Sequence, residues 1–344
     1  MKYEVTIGIP VYNAEKYIRQ TMDSVLAQAF TSIEFLILDD CSTDSSMAII
    51  QEYRQTHPRG EDIHVFHHSD NRGPGAARNR IIDEAQGRFL YFMDADDVIE
   101  PHTIALLMEH QQRTGADIVY GSYDKIETFN DGKILEAHQY LFLELTGEDS
   151  LAEYAWREKG DLQTTVWNYI VDVEMLRKEC LRFIDTNFWE DMAFTFDLLP
   201  CCRHTVLLPD ITYHYKCRYD SLSKYQQREQ IGKEEVVRNI ATVDYMKQQC
   251  VKTKGKSYQP QRYLNVLKTN FFVLCYTLKN FKRITPSFTY KELKEMMSHP
   301  AALSEIIGFR KGRAKNLLFY LFGKLPAGVM VWVASLIGKR KGLV

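Results

Sequence analysis

FLYFMDADD, residues Phe89–Asp97, is an apolar, aromatic run that ends abruptly in acidic side chains. Phe89 to Met93 has the length and composition of a buried strand, and Asp94, Ala95, Asp96 and Asp97 follow at its carboxyl end. Similar runs flank it: Val5–Ile9, Ile33–Leu38 and Ile63–His67 upstream, Ala116–Tyr123 downstream. The stretches between them are amphipathic. Ile18, Met22, Val25 and Leu26 recur at helical spacing behind Asn13, a candidate N-cap. Met47, Ile50 and Tyr53 make a second stripe after Asp44, and Gly73 to Gly75 punctuates the entry to a third helix. Pro101 marks the first turn of a fourth. Strands and helices taking turns predict an α/β fold with a doubly wound sheet.

Outward from this core the pattern changes. Lys125–His138 shifts towards a period of two around Asn130-Asp131-Gly132, a hairpin signal. Helical patterns resume near Leu151 and Val171, residues 205–215 read as one or two short strands, and only helical periodicity follows residue 226. The expected organisation is a catalytic domain over 1–225 and a helical region over 226–344. The chain has 344 residues, 45% of them hydrophobic and 26% charged, with a net charge of −2, the composition of a globular protein without the basic excess of a nucleic-acid binder. Its 7 cysteines form no CxxC pair and read as free thiols of a reducing compartment, and the N-terminus runs straight into a strand rather than a signal peptide. A cytoplasmic location is expected.

In an open α/β sheet, ligands bind at the carboxyl ends of the strands. There the first strand offers Pro10-Val11-Tyr12-Asn13, the second Asp39-Asp40 and the fourth Asp94-Ala95-Asp96-Asp97. Clustered carboxylates raise one another's pKa unless a cation or hydrogen bonds offset them. Hard oxygen donors suit Mg²⁺ or Mn²⁺ shared with substrate phosphates, so Asp94 and Asp96 are candidate metal ligands. The plain alternative is a cap for the helix after Pro101. A carboxylate of Asp39-Asp40 could accept a hydrogen bond from a nucleobase N–H, and Tyr12 could stack on the ring. Asn71, Gly73 and Arg78 come from the loop and helix after the third strand; glycine permits close backbone approach, and the arginine could meet a phosphate or buttress the aspartates.

Pro10-Val11-Tyr12-Asn13, Ser24-Val25-Leu26-Ala27-Gln28, Asp39-Asp40-Cys41-Ser42-Thr43-Asp44, Asn71-Arg72-Gly73 with Ala77-Arg78-Asn79, and Asp94-Ala95-Asp96-Asp97 together resemble the family 2 glycosyltransferases of GT-A fold. The resemblance is dense over residues 4–125 and thins towards 223. It implies a mixed sheet flanked by helices and a nucleoside diphosphate sugar, with Tyr12, Asp39 and Arg78 near the base and ribose. Asp94 and Asp96 match the DxD pair, whose second aspartate touches the metal. Cys41 departs from the glycine common at its position.

Transfer to a hydroxyl needs a base opposite the leaving group. Glu190-Asp191, beside Trp189 at the start of an amphipathic stretch, is the best candidate, and the resemblance assigns Asp191 as base with Glu190 on the acceptor side. It also places Trp167 and Asn168 on the acceptor side, and Arg218, Ser221 and Ser223 at the donor diphosphate. His214 is a candidate third metal ligand. The Gln-x-x-Arg-Trp motif of the processive members is missing, so transfer of a single sugar is expected, from a UDP-sugar to a saccharide acceptor.

No acidic residue follows Glu305, while Arg310, Lys311, Arg313, Lys315, Lys324, Lys339, Arg340 and Lys341 alternate with the apolar segments 317–322 and 325–337. Each segment is shorter than the roughly 20 residues of a spanning helix, so residues 310–344 read as an interfacial element facing anionic lipid at the inner face of the membrane. Packing on the protein or a homo-oligomer contact is the alternative. A lipid-linked intermediate of cell-surface polysaccharide synthesis would suit such a location. Two other functional classes compete. A metal-dependent nucleotidyltransferase lacks here the glycine-rich loop after strand one, and a non-catalytic membrane-associated protein with a transferase fold sits poorly with aspartates at 94, 96 and 191.

Overall fold

The computed structural model describes residues 2–127, 133–158, 162–186, 189–217 and 230–344. It divides into two compact units, one of Met1–Leu151 with Gln163–Ser221, the other of Ala152–Leu162 with Leu222–Val344.

The first unit is built on β1 (Tyr3–Val11), α1 (Ile18–Leu26), β2 (Ile33–Asp39), α2 (Ser46–Thr56), β3 (Ile63–His67), α3 (Gly73–Glu84), β4 (Gly87–Phe92), β5 (Val98–Ile99), α4 (Thr103–Thr114) and β6 (Ile118–Glu127). After β7 (Ile134–His138) and β8 (Leu143–Thr146) comes a short helix, α5 (Ser150–Glu153), at the junction of the units. The unit closes with β9 (Tyr169–Asp172), α6 (Val173–Lys178), α7 (Glu190–Leu198) and β10 (His204–Cys217). The sheet runs β3-β2-β1-β4-β9-β6-β10-β5, with β7 on β6 and β8 on β10. β3, β2, β1 and β4 are parallel neighbours, whereas β9 is antiparallel to both β4 and β6. The sheet is therefore mixed and flanked by helices, the GT-A type expected. Residues 204–217 form one long strand rather than two short ones. Near Val171, where helical patterning was expected to resume, α6 begins at Val173, while Val171 itself lies in β9, which pairs with β4 and β6. Asn130-Asp131-Gly132 lies outside the described residues, although β6 and β7 pair antiparallel as a hairpin would.

Burial explains the central strands. Every residue of β2 is buried, including Glu34, whose carboxylate accepts from Thr6 Oγ1 (2.5 Å) and Gln86 N–H (2.8 Å) and pairs with His64 Nδ1 (2.9 Å). Ile18, Met22, Val25 and Leu26 of α1 pack against Val5, Ile7 and Ile9 of β1 in one core. On the other face α3 presses so close to β1 that a Cβ at Gly8 would lie 2.4 Å from Ile81 Cγ2. The start of α3 is held beside the end of β2 by the Gly73 N–H bond to Asp40 (2.7 Å).

The second unit holds β11 (Ile231–Gly232), α8 (Lys233–Gln249), α9 (Gln259–Lys279), β12 (Ile284–Thr285), α10 (Tyr290–Met296), α11 (Leu303–Gly308), α12 (Arg313–Lys324) and α13 (Ala327–Arg340). β11 and β12 are a parallel pair absent from the helical periodicity, too short to register as a pattern. Trp156 belongs to this unit because its indole packs on Tyr258 at 5.2 Å and under the Arg262 guanidinium at 4.9 Å. Among the described residues no helix is long and apolar enough to cross a membrane.

Candidate active site

The loops after β1 and β2 interlock. Asn13 (φ 49°) turns its Oδ1 to the Thr43 N–H at 2.8 Å, while the Asp44 carboxylate accepts from Glu15 N–H (3.0 Å) and Ser46 N–H (2.9 Å). Asn13 is therefore not the cap of α1, which starts at Ile18 without a side-chain cap. A partner from another loop outcompetes the local one. Pro10 sits within β1 opposite Leu38, and Tyr12 is left half exposed at the rim. Cys41 keeps the left-handed turn (φ 66°) for which glycine is usual.

The two aspartates after β2 have separate tasks. Asp39 accepts from Ser42 N–H (2.9 Å) and pairs with His67 Nδ1 (3.0 Å). Asp40, expected on the donor side, is instead 3% exposed and satisfied within the chain, by His68 Nδ1 (2.7 Å), Arg72 N–H (2.9 Å) and Gly73 N–H (2.7 Å). It holds the start of α3, where Gly73 takes φ 84°, a conformation open to glycine. Asn71 is exposed, its Oδ1 accepting from Gly73 N–H at 3.2 Å.

Arg78 is the junction of the site. Buried on α3, it donates through Nη2 to Asp94 Oδ1 (2.8 Å) and through Nη1 to Glu190 Oε1 (2.7 Å), with its guanidinium 5.6 Å from the Phe183 ring centroid. Burial works against its charge, but Asp94, Glu190 and Asp191 together raise its pKa above the ordinary value. Of the two roles open to Arg78 in the sequence, the observed contacts are the buttress.

Asp94, Asp96 and Asp97 bring carboxylate oxygens within 4.8 Å of one another. Asp97 is fully buried and accepts from the Tyr213 hydroxyl (2.6 Å) and Lys216 N–H (2.7 Å). Burial and the Asp94 carboxylate push its pKa up to about 8 against those two bonds. Asp97 thus fixes the loop from behind, Ala95 is 9% exposed in the core, and Asp94 and Asp96 are the more open pair. Their hard, anionic oxygens fit a Mg²⁺ or Mn²⁺ ion.

Asp191 lies in the first turn of α7, partly accessible, with Oδ1 accepting its neighbour Met192 N–H at 2.7 Å. Burial raises its pKa first and the Glu190 carboxylate second, Arg78 opposes them, and the result is a group pushed up to about 7. A carboxylate titrating there is suited to proton transfer. Glu190 is 8% exposed and tied to Arg78, so it acts on its surroundings through that arginine.

Three expected site residues have their partners within the chain. Asn168, expected at the acceptor, is fully buried, donating to Ser122 O (2.9 Å) and accepting from Thr212 Oγ1 (2.7 Å). Trp167 is 5% exposed and stacks on Tyr213 with centroids 4.4 Å apart, so both residues pack the sheet rather than meet a sugar. His214, the candidate third metal ligand, is held by Asp124 at Nδ1 (2.7 Å) and by Glu100 at Nε2 (2.7 Å). Burial disfavours its charge, but these two bonds hold its pKa above the ordinary value. Arg218, Ser221 and Ser223 lie outside the described residues. His67 and His68, which complete the site's support, carry no spacing signal that singles them out.

The model of glycosyl transferase family 2 matches residues 6–162. An uncharacterized glycosyltransferase of Haemophilus influenzae is 30% identical over 203 residues, 59% of this chain and 74% of that protein. The succinoglycan biosynthesis protein ExoO of Rhizobium meliloti is 28% identical over 227 residues, 64% of this chain and 63% of its own length. Among solved structures, residues 1–349 of Staphylococcus aureus TarS in complex with UDP-GlcNAc superpose with a TM-score of 0.64 at 18% identity, covering 98% of this chain and 92% of that one. The last is a likeness of fold.

Proposed function

The chain belongs to the family 2 glycosyltransferases, and from that premise we propose an inverting enzyme that moves a single sugar from a UDP-sugar to a saccharide hydroxyl, dependent on Mn²⁺ or Mg²⁺. The observation that carries this reading is the Arg78 bridge, which ties Asp94 of the candidate metal pair to Glu190 beside the candidate base. Asp191 takes the proton of the acceptor hydroxyl, and its raised pKa makes it a stronger base than an ordinary carboxylate. Asp94 and Asp96 would hold the metal, which when bound supplies Lewis-acid stabilisation of the leaving diphosphate. Asp39 accepts from the uracil N–H and Tyr12 covers the ring; the UDP-GlcNAc named with TarS supports this choice of nucleotide. Glu190 orients the acceptor side through Arg78.

Titration calorimetry with UDP, with and without Mn²⁺, tests the donor half. Wild type is expected to gain at least about tenfold in UDP affinity from Mn²⁺, and Asp96→Asn to lose that gain while keeping the metal-free affinity. Equal Mn²⁺ dependence in both proteins would refute Asp96 as a ligand. Transfer assays with a panel of UDP-sugars then identify the sugar.

The tail supports a location at an anionic membrane face. On α12 and α13 Leu318, Leu321 and Trp332 are 68%, 54% and 63% exposed, whereas Phe322, Met330 and Ala334 pack inward. Lys324, Lys339, Arg340 and Lys341, in or just after the same two helices, are exposed as well, each worth about 1 kcal/mol near an anionic surface. Such a location suits a lipid-linked acceptor in polysaccharide assembly, a setting shared with ExoO by name. In flotation with phosphatidylglycerol vesicles, the double change Leu321→Ser with Trp332→Ser is expected to leave most of the protein unbound. Undiminished flotation would point to a protein contact instead. Deleting the tail is a poorer test, since it removes the inward-packed residues too.

A further inference from the structure

Asp39 and Asp40 end β2, and His67 and His68 stand beside them at the end of β3. The strands run parallel, with Asp39 opposite His67 in the ladder. Each histidine bonds one aspartate: Nδ1 of His67 lies 3.0 Å from Asp39 Oδ2, and Nδ1 of His68 lies 2.7 Å from Asp40 Oδ1. The two pairs differ in exposure. The His68 and Asp40 side chains are 7% and 5% exposed and belong to the packing under α3, whereas the His67 side chain is 58% exposed beside an 8% exposed Asp39. A histidine on the surface of an edge strand gains little for the fold from such a bond, because water replaces it readily.

We propose that His67 is a positioning residue for nucleobase recognition, setting the rotation of the Asp39 carboxylate so that it can receive the N–H of a uracil ring. The inference rests on the donor reading above. Ser42 N–H, in the loop after β2, and His67 Nδ1, at the end of β3, hold the two oxygens of Asp39, so the carboxylate plane has one orientation. An ionised Asp39 accepts only, which makes Nδ1 of His67 the protonated nitrogen and fixes the tautomer of the neutral ring. Without His67 the carboxylate keeps only the bond from Ser42 N–H to its other oxygen. The carboxylate then rotates, and a ligand must fix it on binding.

Calorimetric titration of UDP and of ADP into the full-length chain in saturating Mn²⁺ tests this with four proteins: wild type, Asp39→Asn, His67→Ala and His67→Asn. His67→Ala is expected to weaken UDP binding about tenfold, the scale of one hydrogen bond to a charged group, and to narrow the preference for UDP over ADP. His67→Asn, whose amide N–H stands in for Nδ1–H, is expected to restore most of the affinity and the preference. Asp39→Asn is expected to lose more than His67→Ala. Loss in Asp39→Asn with wild-type UDP affinity in His67→Ala overturns the positioning role and leaves the donor reading intact. Wild-type affinity in Asp39→Asn overturns the nucleobase assignment itself, and the inference with it. Equal losses for UDP and ADP in both His67 variants, with a lowered melting temperature, would make His67 a stability residue and also overturn the proposal.

Discussion

Asp191→Asn is expected to reduce sugar transfer about 10³-fold while leaving UDP affinity within about twofold of wild type, as the loss of a general base does when the binding site is kept. The substitution is nearly isosteric, and its amide oxygen can still accept from Met192 N–H as Asp191 Oδ1 does. What disappears is a group able to take a proton. The pH dependence follows from the same residue. With burial and Glu190 holding Asp191 up at about 7, the ionised fraction falls through that value as pH drops, so kcat/KM of the wild type should decline about tenfold per unit below it. Stability should move the other way: a folded pKa above the ordinary 3.8 contributes stability that is complete below about pH 4 and is lost as pH rises through about 7. Asp191→Asn should therefore melt no lower than wild type at pH 7. Full activity in the variant would remove Asp191 from the mechanism, and a flat wild-type rate between pH 5 and 8 would contradict its raised pKa.

Arg78→Met is expected to destabilise the protein by about 3–5 kcal/mol, the scale for removing one partner of a buried ion pair. Asp94 and Glu190 would lose the donor that each now holds at 2.8 and 2.7 Å, and Glu190, its side chain 11% exposed, is the one left largely out of water. A second effect is diagnostic. Arg78 lowers the pKa of Asp191, so without the cation that pKa climbs above 7 and the acid limb of the rate profile moves to higher pH. Denaturant melts measure the first effect and kcat/KM between pH 6 and 9 the second, with Arg78→Lys partly rescuing both. A destabilised variant whose acid limb stays in place would show that Arg78 supports the fold without acting on the base.

The fold was legible wherever one physical signal governed a segment. The apolar runs of β1, β2 and β3 and the Ile18, Met22, Val25, Leu26 stripe report burial on one face or both, and burial is what forms those elements. Reading failed where a polar side chain had more than one possible partner. Asn13 looked like a cap because a cap is the nearest use for its oxygen, yet Thr43, 30 residues on, receives it. His214 stood as a candidate ligand because an imidazole nitrogen can bind a metal. Folding instead set it between Asp124 and Glu100, 90 and 114 residues away, which occupy both nitrogens.

By itself the sequence determined the α/β class, the strand ends that carry Asp39, Asp94 and Asp96, the acidic pair at 190 and 191, and the cationic, apolar tail. These follow from local periodicity and from side-chain chemistry present at one place in the chain. Only the tertiary structure decided that Asp40, Asp97, Trp167, Asn168 and His214 have partners within the chain and that Arg78 joins Asp94 to Glu190, which lies 112 residues beyond the arginine. The reason is physical: a carboxylate or an imidazole has the same chemistry at a rim as in a core. Which role it takes depends on the donors and the water that distant segments leave around it.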